Sequence, residues 1–463
     1  MRAAAPPAER QWHPSADTRI SADLLAFVLR TPRWFWVAAG LLAALAGAGA
    51  AAEGLMVLRG LQLLGLTNTV QWAVLIANFV FWVGISHAGV MISAILRLAQ
   101  AEWRRPISRA AEVLALFALL TAGLFPLIHT GRVWRTAYWI APYDFTRNIW
   151  PNPRSALIWD PSAILTYLSG TVLFIYTGLI PDLASARDHS AGWRRRLYGF
   201  LAMGFRGTAR QWRVQKAAGP LMAALILAVF VSVHSIVAWD FAVTVLPGWH
   251  TTVLAPFFVA GAVHSGVAGV VIAMVALRRV LRAQAYITAE HLDVIGRLQV
   301  VVGLVYLFFF LLDFYFSLFS RGELERRIWE LRLFAPPTNV LFYTQVLATL
   351  VVPLPLLAWR RLRRSAPAML ALALLINAGM WLERYLFVVT PLSLKQPFVF
   401  TWVTTYEPRP IEYVFTAAAF GLVALGVLLF AKLLPIIPLW EIREGRLLEQ
   451  EVRTVRLREP AAP

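Results

Sequence analysis

The chain has 463 residues, 59% of them hydrophobic and only 15% charged, with a mean hydropathy of +0.64. A water-soluble protein carries roughly 25% charged residues, so a globule in water is excluded; the apolar runs are long and unbroken, show no barrel alternation, and require helices that cross a bilayer. A net charge of +18 would suggest nucleic acid in a soluble chain, but here it is a topology signal, and the lack of cysteine excludes a disulfide, a thiolate zinc site or an iron–sulfur cluster held by this chain.

Residues 1–33 are mostly polar, and the first apolar run starts at Trp34. That is late for a cleaved signal, so the run is expected to stay as a first span. Ten spans are predicted, at 34–52, 70–96, 112–129, 162–180, 220–239, 253–277, 300–319, 340–358, 368–389 and 413–434. Of the 43 Lys and Arg, 31 fall on the side of the N-tail and 11 on the other, with Arg384 inside the ninth span. Cytoplasmic segments accumulate these residues, so both termini are expected in the cytoplasm.

An internal echo divides the chain. The second span contains Gly84-Ile-Ser-His87-Ala-Gly89 and the sixth Gly261-Ala-Val-His264-Ser-Gly266. Both spans travel the same way, which predicts a parallel repeat of two four-helix bundles, spans two to five and six to nine, with one flanking helix at each end. The expected all-α organisation is therefore an N-tail (1–33), a first transmembrane helix (34–62), bundles over 63–240 and 241–390, a last transmembrane segment (391–434) and a C-tail (435–463). Small residues beside each histidine would let neighbouring helices approach closely. The C-tail alternates Glu441, Arg443, Glu444 and Arg446, the pattern of a short solvated helix. Arg194, Arg195 and Arg196 read as a topology determinant touching lipid headgroups.

Ionisable groups inside spans are costly and mark function or pairing. They are His87, His129, His234, His264, Asp160, Asp240, Asp313, Glu383 and Arg384, and the predicted topology places most of them towards the outer face. Glu383 and Arg384 are adjacent, so their side chains leave the helix about 100° apart and are expected to meet different helices. Oxidising a quinol removes two electrons and two protons, which needs an apolar slot, a neutral acceptor such as histidine and a carboxylate relay. His129, closing the third span, and Asp160, opening the fourth, supply those types. Arg132, Trp134, Tyr138, Trp139 and Trp159 would surround them, although an interfacial belt has the same composition. Two other uses of these residues compete. His87 and His264 could ligate a b-type haem, but no span carries two histidines spaced for a pair of haems. Asp313, Asp240, His234, Glu383 and Arg384 could form a proton route or a self-satisfied polar network. A stand-alone ion or solute transporter would instead need discontinuous helices around a substrate cavity.

The runs NFVFWVGISHAGVMISAILRL (Asn78–Leu98), AGLFPLIHTGR around His129, LIWDPSAILTY at Asp160, VSVHSIVAWDFAV around Asp240 and GWHTTVLAPFFVAGAVHSG before His264 resemble the NrfD/PsrC family of quinone-interacting membrane subunits. Within it the chain is most similar to the long ActC-type subunit of bacterial alternative complex III, over about residues 34–430. The resemblance implies a quinol:electron acceptor oxidoreductase (cytochrome c or a blue-copper protein accepting) in the bacterial cytoplasmic membrane. Menaquinol or ubiquinol would be bound as substrate, with no haem or cluster in this chain. Partners would be c-type cytochrome subunits, an ActB-like iron–sulfur subunit, an ActF-like second subunit of the same family and small membrane subunits. It further implies that His129 and Asp160 belong to the quinol site. A proton path would use His87, His234, Asp240, His264, Asp313, Glu383 and Arg384. A carboxylate series in the cytoplasmic half is missing, Glu112 being the main group there. An NrfD-type subunit of a sulfur- or nitrogen-compound reductase is the neighbouring alternative.

Overall fold

A computed structural model describes residues 18–71, 73–136, 145–152, 154, 156–244, 246–319, 322–394 and 406–458. Among these, ten helices are long and apolar enough to cross a membrane. In chain order the helices are α1 (Thr18–Leu29), α2 (Arg33–Arg59), α3 (Ala73–Leu98), α4 (Ser108–His129), α5 (Trp159–Asp188), α6 (Gly192–Leu201), α7 (Ala209–Ala242) and α8 (Leu254–Val280). Then come α9 (Ala289–Phe319), α10 (Glu323–Phe334), α11 (Thr338–Ala358), α12 (Ala366–Leu392), α13 (Pro410–Leu433) and α14 (Leu439–Arg458). The ten spans are α2–α5, α7–α9 and α11–α13. Several overshoot their apolar cores: α5 reaches Asp188 and α7 starts at Ala209, because the helical hydrogen-bond ladder continues into the polar headgroup layer. Ten crossings return the chain to the face on which it began. We call this the terminal face, and its opposite the far face.

Two spans form the centre. The most apolar windows of α3 and α8 are 89% buried, against 17–50% for the other eight, so these two are apolar all round while the others turn one side to lipid. The echoed motifs are the contact between them. A Cβ built at Gly266 would lie 2.0 Å from Ala88 Cβ, and one at Gly84 would meet Ala262 at 3.5 Å. At Gly266 only glycine allows so close an approach, as expected of small residues at membrane helix interfaces, while a side chain at Gly84 would make an ordinary contact. Around this axis α3 packs on α4, α4 on α5, α5 on α7 and α7 back on α3. Likewise α8 packs on α9, α9 on α11, α11 on α12 and α12 on α8. The outlying α2 packs chiefly on α13.

The C-tail differs from expectation. Helix α14 is docked, not solvated: Glu441 and Arg443 are buried, at 1% and 6% exposure. Glu441 pairs with Arg97 (2.6 Å) and Arg104 (2.5 Å), and its carbonyl accepts from Arg105 (2.9 Å). The backbone N–H of Trp440 donates to Asp182 (2.9 Å), which also pairs with Arg109, and Arg443 reaches Ser21 and Ser185. The alternating charges are the pattern of a helix whose buried face is ionic. Basic ends of α3 and α4 collect at this face, and α14 supplies the carboxylates that neutralise them.

Candidate functional site

His129 is the last residue of α4, Asp160 stands in the first turn of α5, and Asp240 lies two residues before the end of α7. All three are at the far-face ends of their helices, α5 packing on both α4 and α7. The carboxyl groups of Asp160 and Asp240 face each other. Among the described residues, Asp160 Oδ1 and both carboxyl oxygens of Asp240 are buried without a hydrogen-bond donor. The first turn of α5 also presents free backbone N–H dipoles that favour negative charge. His129 is buried, bonded to the backbone of Leu75 at the start of α3, with its ring 6.4 Å from that of Phe125. Arg132 is exposed beyond α4. Tyr138 and Trp139 lie outside the described residues. Trp134 and Trp159 are 68% and 36% exposed, so these two rings face outward as interfacial tryptophans do and do not wall a pocket.

Two histidines lie deeper in the same group of helices. The ring of His87 stacks on Tyr167 at 4.5 Å and meets His234 edge-on at 4.8 Å. His87 Nδ1–H donates to the Val83 carbonyl and His234 Nε2–H to the Phe258 carbonyl, 2.8 Å away. That leaves His87 Nε2 and His234 Nδ1 as buried acceptors with no donor among the described residues. His234 is six residues from Asp240 on α7, a rise of about 9 Å. The partner of His87 is thus His234, not His264.

His264, the echo of His87, has different surroundings. Gln299 Nε2–H donates to its Nδ1 (2.8 Å), and its Nε2–H donates to the Thr349 carbonyl (3.1 Å). That carbonyl lies in a π-helical turn over Leu347–Val351, where the widened ladder releases backbone acceptors. With both nitrogens partnered, His264 is built as a joint between α8, α9 and α11.

Glu383 and Arg384 do pair, contrary to expectation: Arg384 Nε lies 3.2 Å from Glu383 Oε2. Their Cα–Cβ bonds diverge, but both chains are long, and a buried guanidinium left without a counter-charge is costly. Arg384 also covers the Phe258 ring at 4.4 Å. Asp313 and Glu383 line a recess with Arg332 of α10, a residue the apolar pattern passes over because α10 is a short polar helix between spans. Towards the terminal face, Glu112 is buried and accepts from Ser93. No group of three metal-ligating side chains occurs among the described residues.

A core of two central helices ringed by lipid-facing ones, with carboxyl and imidazole groups buried at membrane depth, defines a multi-pass integral membrane protein that carries polar sites inside its bundle. Residues 62–393, more than two-thirds of the chain, match the family described as "Polysulphide reductase, NrfD", and the chain belongs to that family. Among curated relatives, a putative dimethyl sulfoxide reductase membrane subunit of Halobacterium salinarum is 28% identical over 228 residues, 49% of this chain and 48% of that one. A selenate reductase subunit of Mesobacillus selenatarsenatis is 21% identical over 159 residues, 34% of this chain and 35% of that one. The chain thus spans about half or less of the length of these relatives.

Proposed function

We propose that this chain is the membrane subunit of a quinol-oxidising electron-transfer complex, with the quinol headgroup held at the far-face ends of α4, α5 and α7. The observation that carries this reading is the facing pair Asp160–Asp240 beside the helix that ends in His129. A facing carboxyl pair holds one proton between its oxygens, and a neutral imidazole accepts another. His129 takes one hydroxyl proton and the Asp160–Asp240 pair takes the second as the two electrons leave. Arg132, in the connection that follows α4, is assigned to the same headgroup site. The electrons pass to a cluster in an iron–sulfur subunit, since this chain has no cysteine to hold one. Within this reading the complex is of the ActC type. Its partners are c-type cytochromes, an ActB-like subunit and an ActF-like second subunit. The excess of Lys and Arg on the terminal face sets both termini in the cytoplasm of a bacterial cell. We further propose the division into two parallel-related bundles. The proton path comprises His234 and His87 in the first, and Asp313, Glu383 and Arg384 in the second. His264, partnered on both nitrogens, serves that path as a joint.

The names of the family and the relatives favour a second reading, in which the complex is a reductase and the same site draws electrons from quinol for a polysulphide, a sulfoxide or selenate. The test is made on the purified complex. Asp160→Asn and His129→Ala should each abolish quinol-dependent reduction of the partner cluster, with the full set of subunits still assembled. Turnover at the parent rate would remove both roles, and the oxidant that re-oxidises the cluster separates the two readings.

A further inference from the structure

Under the far-face loops of α8, α9, α11 and α12 lies a small recess, with room of about 20 Å³, that the quinol site does not use. Its walls are the rings of Phe257, Phe310, Phe342 and Phe387. Its polar groups are Asp313, Arg332, Gln345 and Glu383. Arg332 does not come from a span. Helix α10 folds back into the bundle, anchored by Ile328 and Trp329, which are 1% and 3% exposed. Its guanidinium, 5.1 Å from the Trp329 ring centre, lies on the same recess as the carboxyls of Asp313 and Glu383 and within range of their charges. Burial pushes this guanidinium down from its usual range, and those two carboxyls oppose the shift.

The buried donor Arg332 Nε has no hydrogen-bond partner among the described residues, and Glu383 Oε2 has the Arg384 ion pair at 3.2 Å but no hydrogen bond of good geometry. An unpartnered donor and a carboxyl oxygen with acceptor capacity to spare on one recess point to a ligand that both accepts and donates. The space between the walls admits water but no quinone ring. Water fits both demands. The charged groups facing one another are Asp313, Glu383, Arg332 and Arg384, with the Tyr306 hydroxyl beside them. Two guanidiniums balance two carboxylates, and neither carboxyl then needs a proton.

We propose that this recess is a water-holding proton-exchange site linking Glu383 to the far aqueous face, with Arg332 of α10 as the positioning residue that keeps Asp313 and Glu383 charge-balanced. The proposal rests on the reading of Asp313 and Glu383 as part of a proton path. Asp160 takes no part in the recess, so loss of the quinol assignment leaves the measurements below unchanged.

The experiment uses the intact complex. A density map fine enough to show water should place ordered water against Arg332 and Glu383. Infrared spectra compared in H2O and D2O should show that Arg332→Gln gains one exchangeable protonated carboxyl per chain. The gain should disappear in Arg332→Gln combined with Asp313→Asn, where one charge of each sign is gone, and be absent from Arg332→Lys. Should Arg332→Gln not assemble, Phe342→Trp fills the recess with the charges intact and should remove the water from the map. A dry recess in the parent overturns the proposal, as does a carboxyl spectrum in Arg332→Gln identical to the parent's.

Discussion

His87 and His264 occupy equivalent places in an echoed motif and yet end in opposite chemical states of partnership. His264 gives its proton to Thr349 and receives one from Gln299, while His87 keeps an acceptor nitrogen with no donor among the described residues. His264→Phe should therefore act on stability: it leaves the buried Thr349 carbonyl and one N–H of the Gln299 amide without their partner, at about 1–3 kcal/mol each, the amide keeping its bond to the residue 264 carbonyl. The expected outcome is a lower thermal midpoint of the purified complex with quinol turnover per folded complex unchanged. Lost turnover at an unchanged midpoint would instead make His264 a proton carrier rather than a joint. The ionisable residues themselves were legible, because charge inside an apolar run is conspicuous in one dimension. Their partners were not. That Asp160 meets Asp240, 80 positions later, depends on how α5 and α7 are rotated against each other, and no local pattern records that rotation.

At the scale of an element, α14 shows how a charge pattern can mislead. Alternating Glu and Arg reads as a solvated surface, yet Glu441 is buried in a network with Arg97, Arg104 and Arg105, and the neighbouring Trp440 N–H donates to Asp182. The pattern specifies charge, and the basic ends of α3 and α4 decide that it is buried. Burial alone would raise the Glu441 carboxyl, but the guanidiniums of Arg97, Arg104 and Arg109 overcome it and hold the group below its usual range. A depressed carboxyl contributes stability above its unfolded value, about 4.3, and loses it as pH falls through the lower folded value. Amide exchange across α14 should thus stay slow from neutral pH to about pH 5 and accelerate only below about pH 4. Glu441→Gln leaves buried guanidiniums unpaired, a loss of about 3–5 kcal/mol, and should make α14 exchange fast even at neutral pH. Exchange rates that ignore both changes, once corrected for intrinsic pH dependence, would show that other contacts hold the helix.

At the scale of the whole molecule, the absence of cysteine makes topology directly measurable. Single cysteines introduced at Arg361 on the terminal face and at Trp150 on the far face should label differently with a membrane-impermeant thiol reagent. In intact cells only position 150 is expected to react, and in inverted vesicles only position 361. The reverse result would turn the chain over and place the Asp160–Asp240 pair on the cytoplasmic side, ending the scheme in which electrons leave outward. Composition and periodicity alone determined that this is a ten-span helical membrane protein and which few residues carry charge inside it, because hydropathy is a sum over some 20 neighbouring residues. The tertiary structure decided which glycines seat α8 on α3, that Glu383 folds back on Arg384, and that Arg332 enters the membrane from a loop helix. Those outcomes depend on helix rotation, depth and register, which are fixed by contacts between residues far apart in the chain.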